Sequence, residues 1–338
     1  MPTLRVIAEI GVNHNGSLNM AKELVDLACI SGVDIVKFQT AVPDLVQTPN
    51  APKARYQQTT DAQFESALEM TKGIHLPLGV YRELKNYVEA KGAVFMSTAF
   101  DLTSLEVLHD LGERTFKVPS GEINNLRYLD RISQIADEVI LSTGMSTLEE
   151  VSDALTVLTS HSLTKKDVII LQCNTAYPTP PSDVNLRAMT LMGEFFGTRF
   201  GLSDHTVGVE ASIAAVALGA CLIEKHITLD RTLPGPDHAA SLEVSDLPAF
   251  VVMLRNVVTM LGNPSKRPSS SEIENMATAR RGVYLAKDVK AWDLLKFADL
   301  VCLRPENGVS PMNINDFVGR RTRRAKKTFD SIDWTDIE

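Results

Sequence analysis

Three polar residues in a row, Glu224-Lys225-His226, close an otherwise mostly apolar stretch that begins near Ile213. An acid, a base and an imidazole are costly to bury unless they meet a ligand. The upstream half of the stretch is therefore expected to be a buried strand whose end opens onto a wet or ligand-filled space. Arg199-Phe200-Gly201-Leu202 runs into Ser203-Asp204-His205-Thr206 in the same manner. If these strands are parallel neighbours, His205 and His226 stand side by side at their carboxyl ends. Two imidazoles with carboxylates nearby suit manganese, iron or zinc better than magnesium or calcium, which prefer oxygen shells. The plainer alternative is that each histidine caps a strand or starts a turn. Lys37 and Lys117 also fall at strand ends, with Ser97, Thr98, Ser120 and Ser203 close by in the pattern. Such a set of cations and hydroxyls is what a small phosphorylated anion needs. Either lysine could instead form a Schiff base. The histidine pair counts against that use, because a site with a metal Lewis acid has no need of an iminium. Gly235-Pro236-Asp237-His238 reads as a rigid turn presenting a carboxylate to sugar hydroxyls, or as an ordinary Pro-Asp turn.

These residues need a scaffold, and the chain alternates strand-like apolar runs with helical periodicity. Strands are expected at Arg5–Ile10, Asp34–Phe38, Ala93–Met96, Thr115–Val118, Glu138–Leu141, Val168–Leu171 and the two histidine-bearing segments. Leu18, Ala21, Leu24, Val25 and Ala28 recur at helical spacing after the first. Eight strand-helix units in about 260 residues match a (β/α)8 TIM barrel, whose active site lies at the carboxyl ends of the strands. Glu9, Lys37, Gln39, Thr98, Lys117, Ser120, Thr175, Tyr177, Ser203, His205, Glu224 and His226 all fall at or just after those ends, so closure would gather them around one mouth. A doubly wound open sheet would spread them along an edge, and its GxGxxG fingerprint is missing from the first turn. A long polar loop of about forty residues, containing Arg55 to Gln58, separates the second strand from the next full helix; so long a loop is more often functional than idle.

Net charge is 34 minus 42, or −8, which argues against nucleic acid or an anionic membrane as the main partner. Cys29, Cys173, Cys221 and Cys302 are scattered in apolar contexts and read as reduced thiols of a cytoplasmic protein. No apolar run approaches the ~20 residues needed to span a bilayer. The expected division is a barrel at 1–262, a Pro- and Ser-rich linker at 263–280 and a small β-rich module at 281–338, too small to be more than marginally stable alone.

Glu9-Ile10-Gly11-Val12-Asn13-His14-Asn15-Gly16, Lys37-Phe38-Gln39-Thr40, Lys117-Val118-Pro119-Ser120-Gly121-Glu122, Ser142-Thr143-Gly144-Met145, Tyr177-Pro178-Thr179-Pro180, Gly201-Leu202-Ser203-Asp204-His205-Thr206 and Glu224-Lys225-His226 together resemble the sialic acid synthases. Those are N-acetylneuraminate synthases and their legionaminic and pseudaminic acid relatives. Val301 to Gly308, with Arg304-Pro305, looks like part of that family's C-terminal antifreeze-like (SAF, β-clip) domain. The resemblance implies a transferase that condenses phosphoenolpyruvate with open-chain N-acetylmannosamine, giving N-acetylneuraminate and phosphate by C–O cleavage. The alternative acceptor is 2,4-diacetamido-2,4,6-trideoxymannose. It implies a divalent metal, Mn2+ foremost with Mg2+ or Co2+ as substitutes, held by His205 and His226. Glu9 and Glu224 are the candidates for orienting or deprotonating water. Lys37, Thr98, Lys117, Ser120, Thr175 and Ser203 would bind phosphoenolpyruvate, and Gln39, Tyr177 and Asp237 the sugar. It further implies a domain-swapped homodimer in which Arg304 from the partner subunit reaches the sugar. Asn174-Thr175 stands where relatives often have Thr followed by Asn or Ser, leaving open which side chain meets phosphate. Ala99 replaces a common proline, and Ala291-Trp292 a common Lys-Gly turn. Two rival readings are a metal-dependent hydrolase, which lacks an HxH after the first strand, and an ice-binding tail on an inert barrel, which leaves the polar rim unexplained.

Overall fold

The structure, a computed structural model, describes residues 3–54, 57 and 64–338; Arg55, Tyr56 and Gln58 of the long loop lie outside the described residues. Eight parallel strands are present: β1 (Arg5–Gly11), β2 (Ile35–Thr40), β3 (Val94–Ala99), β4 (Thr115–Val118), β5 (Glu138–Ser142), β6 (Val168–Cys173), β7 (Arg199–Asp204) and β8 (Leu222–Thr228). They pair in the order β3-β2-β1-β8-β7-β6-β5-β4, and β3 and β4 touch across the remaining seam. The result is a nearly closed (β/α)8 barrel of TIM type. The strand–helix rhythm had predicted that architecture.

Strand periodicity of two explains both what fills the barrel and what lines its mouth. Val6, Ala8 and Ile10 of β1 face outward and join Val36, Phe38 and Phe95 in the shell between sheet and helices. Ile7, Ile35, Met96, Ile140, Ile169, Leu171 and Leu222 face inward and fill the interior. Each such burial stabilises by about 1.5–3 kcal/mol. The next inward positions are polar or small: Glu9 after Ile7, Lys37 after Ile35, Thr98 after Met96, Ser142 after Ile140, Cys173 after Leu171 and Glu224 after Leu222. Helices close the outside, beginning with Leu18–Ile30, which is capped by Ser17 Oγ accepting from the Met20 N–H and buries Ala21, Leu24, Val25 and Ala28. These are the positions its spacing predicts.

Several boundaries differ from the sequence expectation. β3, β7 and β8 do not stop at their first polar residue but continue to Ala99, Asp204 and Thr228, because the backbone ladder is indifferent to which side chains it carries. Ile213 to Ala217 belongs to the helix Glu210–Ala217, and β8 starts only at Leu222; an unbroken apolar run cannot by itself separate helix from strand. The long loop contains helices Pro43–Val46 and Ala67–Ile74. The linker contains a helix, Ser270–Ala279, opened by a Ser269–Glu272 capping box and burying none of its residues.

The chain divides into two compact units, residues 1–262 and 263–338. The second contains an antiparallel pair, β10 (Gly282–Leu285) and β11 (Leu300–Leu303), after a short β9 (Leu242–Glu243) that extends the barrel sheet beside β8. Its core is Val283, Leu285, Val289, Leu295, Leu300, Val309, Phe317, Ile332 and Ile337. Asp336 is buried there, accepting from Arg324 (2.8 Å), the Asp333 N–H (3.0 Å) and Lys326. Trp292 occupies the left-handed region at φ 69°, which fits a position where the family resemblance implies a glycine. All four cysteines are free. Among the described residues no helix is long and apolar enough to cross a membrane.

Candidate active site

At the carboxyl ends of the strands a cavity of about 370 Å³ is lined by Glu9, Lys37, Gln39, Thr98, Lys117, Ser120, Thr175, Tyr177, Ser203, His205, Glu224 and His226. The barrel thus brings together twelve of the residues singled out from sequence. A second cavity of about 230 Å³ shares Gln39, Phe100 and Tyr177 with the first and includes Asp237. Arg304 is an exposed residue of the second unit.

The charged floor is a four-membered cluster. Lys37 Nζ lies 2.8 Å from Glu9 Oε2 and 3.6 Å from Glu224 Oε2, and donates to Thr98 Oγ1 at 3.1 Å. Lys117 Nζ is 3.6 Å from Glu224 Oε1, to which Ser203 Oγ also donates at 3.0 Å. Gln39 Nε2 donates to Glu9 Oε1 at 3.0 Å. The cluster drives its two carboxylates apart. Burial, against the pull of Lys37 and aided by the nearby Glu224 charge, raises Glu9 to about 7. Burial works in the same direction at Glu224, but Lys117 and Lys37 together outweigh it and hold that carboxyl at about 2. One acid is therefore poised near neutrality while the other stays ionised, an arrangement suited to dividing acid-base and electrostatic roles. Burial would also lower Lys37, yet Glu224 and Glu9 raise it overall. Lys117 is lowered, by burial first.

Two residues on from Ser203 and Glu224, the imidazole rings of His205 and His226 stand 5.3 Å apart, centroid to centroid. His205 donates through Nδ1 to the Asn174 carbonyl at 2.5 Å. Its lone pair therefore lies on Nε2, 3.1 Å from the Tyr177 hydroxyl and 3.3 Å from Ser203 Oγ. Tyr177 stacks on His205 and meets His226 edge-on. Burial lowers His205 to about 4 and carries His226 well below its ordinary value, with His205 adding to the latter effect. Both rings are therefore neutral. His226 Nδ1 is buried without a hydrogen-bond partner, with Asp237 Oδ2 at 3.7 Å. Burial raises Asp237 to about 7. Two uncharged imidazoles, one with its lone pair on the cavity wall and one with an unpartnered nitrogen, fit a borderline divalent ion. Among the described residues no group of three or more His, Cys, Asp or Glu is arranged to enclose an ion.

Asn174 Oδ1 accepts from the Ala176 N–H within the turn, whereas Thr175 lines the cavity. Sequence reasoning missed Cys173, whose Sγ is 3.1 Å from Ser120 Oγ, and the role of Gly144. The Gly144 N–H donates to Ser120 Oγ at 2.9 Å, and a Cβ there would come within 2.9 Å of Ser120, Thr175 and Cys173. It also missed the second cavity, where Val12, Val46, Met70 and Ile74 form an apolar wall beside Gln47, Thr71 and His75. The spacing of Met70, Thr71 and Ile74 on one helix face was the available signal.

The chain matches the NeuB family over residues 24–266 and the SAF domain over residues 280–338. It is 42% identical over 315 residues to the N,N'-diacetyllegionaminic acid synthase of Campylobacter jejuni, covering 93% of this chain and 94% of that one. Identity to the synthase of the same name from Legionella pneumophila is 39% over 338 residues, covering 99% and 95%. The crystal structure of an N-acetylneuraminic acid (sialic acid) synthetase from Leptospira borgpetersenii, in complex with citrate, aligns with a TM-score of 0.70 and 29% identity over 81% of this chain and 90% of that one. Fold and family match thus define a (β/α)8-barrel enzyme. The chain belongs to the NeuB family, the phosphoenolpyruvate-dependent nonulosonic acid synthases, which are typically metal-dependent.

Proposed function

We propose that this enzyme condenses phosphoenolpyruvate with 2,4-diacetamido-2,4,6-trideoxymannose in its open aldehyde form, releasing phosphate and N,N'-diacetyllegionaminic acid. The observation that carries the choice of sugar is the 42% and 39% identity, over nearly the whole chain, to two N,N'-diacetyllegionaminic acid synthases. This reverses the order of acceptors that the resemblance alone suggested. The apolar wall of Val12, Val46, Met70 and Ile74 in the second cavity supports it, because a 6-deoxy sugar ends in a methyl where N-acetylmannosamine ends in a hydroxymethyl.

In this reading Lys37 and Lys117 neutralise the phosphate and carboxylate of phosphoenolpyruvate, while Thr98, Ser120, Thr175 and Ser203 give directional donors. His205 and His226 would hold a divalent ion, Mn2+ by preference, which when bound polarises the acceptor aldehyde. The C2=C3 π pair of phosphoenolpyruvate forms a bond from C3 to the aldehyde carbon, the carbonyl π pair moves to the aldehyde oxygen, which takes up a proton to become a hydroxyl, and C2 becomes cationic. Glu224, held ionised by its two lysines, stabilises that charge. Glu9, with a pKa near neutrality, takes the proton of the water that adds to C2. The tetrahedral centre then loses its hydroxyl proton and collapses to the keto group as the C2–O bond to phosphate breaks and phosphate leaves with the bridging oxygen. Gln39, Tyr177 and Asp237 orient the sugar, and the 263–280 segment links the barrel to the SAF domain.

Phosphate release tests the reading. Both sugars are supplied separately with phosphoenolpyruvate and Mn2+. The deoxy sugar is expected to give the larger kcat/KM, by the ~10–200-fold that a matched apolar pocket provides. A preference for N-acetylmannosamine overturns the choice of acceptor.

A further inference from the structure

Between the two residues that face the cavity on β8, Lys225 points the other way. Its side chain is 1% exposed and pairs with Asp204, whose side chain is fully buried, at 3.1 Å. The two are register partners in the β7–β8 ladder. Each immediately precedes one of the cavity histidines, Asp204 before His205 and Lys225 before His226. All three ammonium donors are engaged: besides Asp204, Lys225 Nζ donates to the Thr206 carbonyl at 2.6 Å and the Gly208 carbonyl at 2.9 Å. Asp204 Oδ1 accepts from the Thr206 N–H at 2.9 Å and its hydroxyl at 2.8 Å, and Oδ2 accepts from Ser212 Oγ at 2.6 Å on the following helix. The turn that carries His205 is thus tied to the neighbouring strand and to the next helix through one buried ion pair.

A buried ion pair is weak support for stability, because desolvation offsets most of its attraction, and its better-attested use is to fix a geometry. We propose that the Asp204–Lys225 pair positions the two imidazoles, setting the separation of His205 and His226 for the divalent ion they would hold. This rests on the two-histidine reading of the site. The pair touches neither substrate nor ion and acts through the backbone of residues 204–208.

The test is Mn2+ binding to the full-length protein, measured by titration calorimetry and by the paramagnetic resonance signal of free Mn2+, alongside phosphoenolpyruvate affinity and thermal melting. Lys225→Met removes both carbonyl anchors and is expected to weaken Mn2+ binding by ~10–100-fold, the range for lost outer-shell support. Phosphoenolpyruvate affinity, carried chiefly by Lys37 and Lys117 on β2 and β4, should change less than about threefold, as expected for largely independent sites. Lys225→Met also strands a buried carboxylate, so Asp204→Asn/Lys225→Met provides the control and decides the matter should the single variant fail to fold. It keeps an acceptor for Thr206, and melting should recover while Mn2+ affinity stays low. Mn2+ affinity that recovers in step with melting, or a folded variant binding Mn2+ like the wild type, overturns the positioning role. Wild-type protein that binds no Mn2+ would instead remove the two-histidine reading beneath it.

Discussion

Lys117→Met tests how the cavity binds its anion. The Lys117 side chain is 5% exposed, and its ammonium lies 3.6 Å from Glu224 Oε1, too far for a hydrogen bond. It lines a cavity that Ser120 and Thr175 also line. Burial lowers its pKa, so the charge is held there at some cost to the folded protein. An anion oxygen about 4 Å away gains ~4 kcal/mol at an effective dielectric of ~20, and truncating one member of a buried charge pair costs ~2–5 kcal/mol. At ~1.4 kcal/mol per decade, a loss near the middle of that range is a rise of ~100–1,000-fold in the phosphoenolpyruvate Kd. Calorimetric titration measures it directly, with the sugar KM as control. Thermal melting should hold or rise, since the variant removes a desolvated charge while Glu224 keeps Lys37. A Kd within threefold of wild type, or an equal increase in the sugar KM, refutes this use of Lys117.

Glu9→Gln should lower kcat by ~100–10,000-fold as a lost general base. Wild-type kcat/KM should rise through about pH 7 as Glu9 ionises, and the variant's pH profile should lose that limb. Asp336→Ala should destabilise the second unit by ~2–4 kcal/mol, less than a fully enclosed pair because Arg324 is largely exposed. Partners overcome burial to lower the Asp336 pKa, so its contribution is present above the ordinary carboxylate range and is lost as pH falls through the folded value. Both tryptophans, Trp292 and Trp334, belong to this unit, so fluorescence melts at neutral and acid pH isolate the effect. Arg304→Ala should raise the sugar KM well beyond that of phosphoenolpyruvate, as the family resemblance implies; equal effects in steady-state kinetics would contradict it.

Inward alternation made the cavity legible from sequence: Ile7-x-Glu9, Ile35-x-Lys37 and Leu222-x-Glu224-x-His226 each place a chemical group one pleat above a core residue. Strand ends were not legible, since polarity was taken to end β3 and β8 where the ladder in fact continues under Thr98 and His226. The stacking of Tyr177 on His205 and the approach of Asp237 to His226 depend on loop paths that no local pattern encodes. The helix Ala67–Ile74 was hidden in a segment read as loop, and with it the apolar wall of the second cavity.

The most direct measurement uses phosphoenolpyruvate labelled with 18O at its bridging oxygen, incubated with the enzyme, Mn2+ and 2,4-diacetamido-2,4,6-trideoxymannose. The account predicts a nine-carbon keto acid free of label and phosphate that carries it, with turnover lost in His226→Ala. Label retained in the keto acid, or no phosphate released with either sugar, would contradict it.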